Sequence, residues 1–166
     1  MSGVLTDILV IVILLFLNGL FVMSEMAVVS SRKARLQQMG NEGRKSALRA
    51  LHLAQNPGTF LSTVQIGITL IGILMGAVGG AALSAPLAGL FRLWAISGPY
   101  AESLSFAIIV VLITGLTVLV GELVPQRIAL HEPERIASAI AGPMSFLSRV
   151  FRPLVWRLGK GTEAFL

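Results

Sequence analysis

Val118-Leu119-Val120-Gly121-Glu122-Leu123-Val124-Pro125-Gln126-Arg127 places a carboxylate between a glycine and a proline at the end of an otherwise uncharged apolar run. From Leu104 to Leu123 the only ionisable side chain is Glu122. A charge inside a bilayer is costly unless a cation or hydrogen-bond donors meet it. The rest of the chain therefore reads as a housing for this acid.

Working outward, the 166 residues are 55% hydrophobic and 13% charged, with a mean hydropathy of +0.84. These values lie far from those of an ordinary globular domain and indicate an all-α integral membrane protein. With no cysteines, a disulfide framework and a thiolate metal site are both excluded, so any metal must be held by oxygen or by the two histidines. The net charge of +5 comes from basic residues beside the apolar runs, where lipid headgroups and topology explain it without nucleic acid.

The first apolar run, about 4–30, exceeds the roughly 20 residues that a helix needs to cross the hydrocarbon. The N-terminus before it carries no positive charge, so the run reads as a retained span and not a cleaved signal. The next segment, 32–57, holds Arg32, Lys33, Arg35, Arg44, Lys45 and Arg49 against the single acid Glu42. That segment is expected to be helical and cytoplasmic by the positive-inside rule, which places the N-terminus outside.

Asn56-Pro57-Gly58 precedes a second span at about 59–84, in which Gly72, Gly76 and Gly80 leave one helix face almost without side chains. Such a face suits close helix packing or a dimer contact. Residues 85–103, with Pro86, Trp94, Pro99 and Tyr100, read as an external loop with interfacial aromatics. The third span covers about 104–124, and Pro125 should end or kink it. Beyond Glu132, Pro143 and Pro153 interrupt the pattern. From Leu147 to Lys160, Leu147, Val150, Phe151, Leu154, Val155 and Leu158 share one face opposite Arg149, Arg152 and Lys160, a juxtamembrane helix lying in the interface with its basic face toward lipid phosphates. Trp156 is the exception on the polar side. No linker or repeat appears, so 1–166 reads as one domain.

Glu25 lies seven residues before Arg32 and Glu122 five before Arg127, which puts both carboxylates roughly 7–11 Å inside the cytoplasmic boundary at the helical rise. The second span enters from the same side with Thr63, Gln65 and Thr69 in its first turns. Ser24, Glu25, Ser30, Thr63, Gln65, Thr69, Gly121 and Glu122 thus converge on one level. Carboxylates, hydroxyls and glycine-exposed carbonyls together suit a hard cation such as magnesium, calcium or sodium. Gly121 and Pro125 fit, since a freed carbonyl at membrane depth lines a cavity or meets a ligand. The bland reading is that Glu25 pairs with Arg32 or Arg35 and that the hydroxyls bond back to their own helices. Asn18, at mid-membrane, reads first as a link between helices. His52 and His131 read as surface histidines. No nucleophile–base pair, phosphate loop or histidine metal motif is present, so no enzyme activity is expected.

Three stretches resemble a known family: Asn18-Gly19-Leu20-Phe21-Val22-Met23-Ser24-Glu25-Met26-Ala27-Val28-Val29-Ser30, Thr63 through Leu74, and Gly121-Glu122-Leu123-Val124-Pro125-Gln126. They look like the transmembrane domain of the CorC/HlyC and cyclin-M (CNNM) transporters. The tail from Pro133-Glu134-Arg135-Ile136 to Arg152-Pro153-Leu154 is similar to the juxtamembrane helix of that family. The resemblance implies three transmembrane helices, a belt-like juxtamembrane helix over 132–166, a homodimer in a bacterial-type inner membrane with the C-terminus cytoplasmic, and Mg2+ efflux coupled to Na+. Carried over by position, the ligands of the ion are Glu122, the carbonyl of Gly121, Ser24, Ser30, and Gln65 or Thr69, which would have to substitute for the asparagines of a Gly-Asn-x-x-x-Asn-like pattern in the family, where this chain reads Gly67-Ile68-Thr69-Leu70-Ile71-Gly72. Glu25, Asn18, Thr63 and Gly67 then support these ligands or gate the site. The family usually continues into a cytoplasmic CBS pair that binds adenine nucleotide. This chain stops at Leu166, before such a region, as a piece of a longer protein or an isolated membrane core. Two other readings remain open: a non-conducting membrane scaffold or regulatory subunit, and an exporter of sodium or divalent cations without preference for magnesium.

Overall fold

The structure is a computed structural model that describes residues 2–93 and 98–163. Seven helices occupy the described residues: α1 (Ser2–Ser30), α2 (Lys33–Asn41), α3 (Lys45–Gln55), α4 (Pro57–Leu93), α5 (Gly98–Val118), α6 (Val124–His131) and α7 (Pro133–Glu163). A π-helical turn, Leu119–Leu123, joins α5 to α6. Among the described residues, three segments are long and apolar enough to cross a membrane, Gly3–Ser30, Pro57–Leu93 and Tyr100–His131. Their apolar windows are mostly unburied within the chain, as expected when lipid is the solvent for those faces.

Several boundaries differ from the sequence expectation. The second span does not end at residue 84, because α4 continues through Pro86 to Leu93. A proline removes one hydrogen bond and bends a helix without stopping it when the flanking residues still pack. Ala88, two residues beyond Pro86, is 3% exposed, and Arg92 pairs with Glu102 of α5. Of the expected external loop, 85–93 is helical and so is the chain from Gly98 onward; Trp94 lies outside the described residues. At roughly 55 Å by the helical rise, α4 is longer than the hydrocarbon is thick. Pro125 does not end the third helical run either, which passes through the π turn into α6. Likewise Pro143 and Pro153 lie inside the single helix α7.

The chain divides into two compact units. The first comprises residues 1–19 and 69–124. Ile71 and Met75 of α4 and Ala101, Ser105 and Ile109 of α5 are buried in it. A Cβ on Gly79 would overlap the Ile113 side chain, so these helices meet where α4 carries no side chain. Gly80 faces Phe106, whereas Gly72 and Gly76 face open space. The last two line a groove of ≈ 250 Å³ with Met75, Val110 and Thr117.

The second unit comprises residues 20–68 and 125–166. Here α3 packs on α7 and α2 around Leu36, Leu51, Leu53, Phe60 and Val64. Alanines at 27, 47, 50, 54, 129, 137 and 141 complete this core, and their small side chains let the helices approach closely. The turn from α2 to α3 uses Gly43 at φ 92°, a conformation that costs a side-chain-bearing residue. Along α7 the expected apolar face is only partly covered by the chain: Leu147, Phe151 and Val155 are half-buried, whereas Val150 is 53% and Leu154 43% exposed. Leu158 lies outside the residues whose side chains are described. Trp156 is exposed and carries the Lys160 ammonium over its ring at 4.2 Å, which gives the exceptional aromatic a cation–π partner.

Candidate cation site

The site in the first unit follows from one missing hydrogen. Proline has no N–H, so Pro125 cannot donate to the carbonyl four residues earlier, that of Gly121, and its ring crowds that carbonyl. An inserted residue relieves the clash, and the chain forms a π turn in which the Val124 N–H reaches back to the Leu119 carbonyl. The Gly121 carbonyl accepts instead from Nδ2 of Asn18 on α1, at 3.1 Å. Asn18 is 3% exposed, so this amide–carbonyl bond is shielded from competing water.

Gly121 permits the approach. A Cβ there would stand 3.0 Å from Leu15 Cδ1 and 3.1 Å from Asn18 Nδ2, so that both neighbours would have to give way. Beside it, Thr117 donates to the Ile113 carbonyl at 2.8 Å and touches Met75 Sδ at 4.0 Å. Glu122 follows Gly121 on the same π turn and is exposed on the surface of the unit. Thr69, also of this unit, is exposed as well.

The remaining expected residues belong to the second unit. Ser24 is fully buried and donates to the Leu20 carbonyl at 2.5 Å; Thr63, 1% exposed, donates to the Thr59 carbonyl at 2.7 Å. Ser30 Oγ lies 3.4 Å from Met26 Sδ. These hydroxyls bond back to their own helices, which employs the proton and leaves oxygen lone pairs able to accept. Gln65 is exposed and Glu25 half-buried. Gly67 is buried against the Phe21 ring, where it serves packing. Arg32 reaches Glu134: its backbone N–H at 3.2 Å and its Nε at 3.1 Å both donate to Glu134 Oε1.

The structure thus brings together Asn18, Gly121 and, one residue along, Glu122. Among the described residues no three His, Cys, Asp or Glu side chains cluster as a metal site. Sequence reasoning missed the π turn and Thr117, although the four-residue spacing from Gly121 to Pro125 is the signal for a carbonyl in need of another donor. It also missed Glu134, a first-turn acid of α7 that nothing local distinguishes.

Three apolar spans, a charged helical unit and an acid on a π turn define an integral membrane protein. Its sequence matches the cyclin M transmembrane N-terminal domain over residues 9–166, and the chain belongs to that family. It is 48% identical to a UPF0053 protein of Synechocystis sp., over 99% of this chain and 37% of the relative. It is 40% identical to the polyamine export protein of Escherichia coli K12, over 92% of this chain and 34% of the relative. A UPF0053 protein of Bacillus subtilis is 35% identical over 92% of the chain and 33% of the relative. The chain spans about a third of the length of these curated relatives.

Proposed function

We propose that this chain is the membrane-embedded part of a cation exporter, with Glu122 as the anionic centre of its binding site and a polyamine as cargo. The observation that carries the reading is the pairing of Asn18 with Gly121, which fixes a π turn and presents the adjacent Glu122 at the surface of a membrane-spanning unit. A carboxylate at membrane depth is stabilised by a cation brought against it. An ammonium group is satisfied by a carboxylate and a few carbonyl or hydroxyl acceptors. The relatives in Escherichia coli and Haemophilus influenzae, 40% and 36% identical, are polyamine export proteins by name. Export through a homodimer, with segment 32–57 and α7 on the cytoplasmic side, accords with the basic charge of that segment.

A second reading, Mg2+ efflux coupled to Na+, is favoured by the oxygen set of Glu122, the Gly121 carbonyl, Ser24, Ser30, Gln65 and Thr69. Magnesium demands near-ideal octahedral oxygen geometry, and the set is poor in carboxylates. Calorimetry on the detergent-solubilised chain with spermidine and with Mg2+, beside Glu122→Gln, separates the two. Spermidine binding that weakens about tenfold or more in the variant supports the polyamine reading. Mg2+ binding alone, lost in the variant, supports the second, and binding of neither favours a non-conducting scaffold.

A further inference from the structure

We propose that a cavity of ≈ 560 Å³ in the second unit, between the C-terminus of α3, the start of α4 and the middle of α7, binds one phosphate-bearing anion. The cavity is lined by His52, Asn56, Thr59, Ser148, Arg149 and Arg152, above Leu53 and Phe60. Three observations point to the same ligand chemistry.

The first is charge. Arg149 and Arg152 both line the cavity, and among the described residues no carboxylate does. Neither takes part in an ion pair among the described residues. Paired guanidiniums with no internal counter-charge select carboxylate or phosphate oxygens, and phosphate above all, because the planar fork matches two of its oxygens. The contrast lies in the same unit. A cavity of ≈ 490 Å³ lined by Arg32, Arg35, Arg44 and Arg135 also holds Glu42, Glu132 and Glu134, and Arg32 and Arg135 are already paired with two of them.

The second observation is an orphan. The Ser148 hydroxyl is buried and has no hydrogen-bond partner among the described residues, although serines at 138 and 145 of the same helix bond back to the Glu134 and Gly142 carbonyls. A buried hydroxyl without a partner is costly, and native structures rarely leave one. An acceptor oxygen in the cavity would complete it. The third is the start of α4. Asn56, just before that helix, donates its amide to the His52 carbonyl at 3.4 Å, and Thr59 of the first turn lines the cavity. Helix N-termini offer free N–H groups and the positive end of the dipole to anions.

Phosphate can arrive from two sources. Exposed Phe146, Val150 and Leu154 on α7 suit a membrane interface and therefore a lipid headgroup; a soluble phosphate ester offers the same oxygens. This site is separate from Glu122, and its failure would leave the cation reading standing.

The test titrates the lipid-stripped chain in a maltoside detergent with glycerol 3-phosphate by calorimetry. In parallel, native mass spectrometry counts lipid adducts released from phosphatidylcholine nanodiscs with and without phosphatidylglycerol. One retained anionic adduct in either arm is expected, the arm identifying the source. Arg149→Gln with Arg152→Gln should weaken it about tenfold or more, while Arg127→Gln, outside the cavity, should not. Ser148→Ala should raise the thermal midpoint of the ligand-free chain, since it removes the orphan, yet weaken binding about three- to tenfold. Equal binding in all variants, no adduct in either arm, or a Ser148→Ala variant with unaltered affinity would overturn the proposal.

Discussion

Asn18 Nδ2 donates to the Gly121 carbonyl at 3.1 Å across 103 residues of sequence, supplying the hydrogen bond that Pro125 withholds. Asn18→Ala should therefore cost about 1 kcal/mol of stability, the scale of interhelical hydrogen bonds in membranes. Gly121→Ala should act on the same bond, because the added Cβ meets Asn18 Nδ2. The two losses should be non-additive, with a coupling on the order of 1 kcal/mol in a double-mutant cycle read by thermal unfolding in detergent. Simple additivity would show that the bond does not hold the π turn.

Pro125→Ala restores an N–H four residues after Gly121 and removes the reason for the inserted residue. The segment should then close as regular α-helix, turning Glu122 by about 100° relative to the residues that follow it. Cation binding should fall about tenfold or more, while the thermal midpoint holds or rises, since the proline penalty is gone. A variant that loses stability and binding together would instead place Pro125 in the packing of α6.

Glu134 makes the stability of the second unit depend on pH. Burial alone would raise its pKa, but hydrogen bonds from the Arg32 side chain and backbone, its own backbone N–H and the Arg32 charge outweigh that and hold the carboxyl below its ordinary value. A depressed carboxyl pKa contributes stability above the unfolded-state pKa, and that contribution is lost as pH falls through the folded-state value. The Arg32 side chain is 76% exposed, so the contribution should be only about 1 kcal/mol. Thermal midpoints near pH 7 and near pH 3.5 should differ less in Glu134→Gln than in the unchanged chain, the two proteins converging at low pH.

Much of this protein can be read locally. Charge-free apolar runs longer than a bilayer, the basic block at 32–57 and the solitary acid at 122 specify three spans and a charged helical segment, because the cost of burying charge in hydrocarbon acts residue by residue. The same locality misled at the prolines. Pro86, Pro143 and Pro153 lie inside helices, because packing and long flanking helices outweigh one lost hydrogen bond.

What only the tertiary structure decided are the partnerships between distant residues: Asn18 with Gly121, Arg32 with Glu134, and an unpartnered Ser148 hydroxyl beside Arg149 and Arg152. Sequence spacing tells which donor or acceptor a helix leaves unsatisfied, since that depends on four neighbouring residues. Which side chain arrives to satisfy it depends on how helices separated by many residues pack, and no local rule contains that.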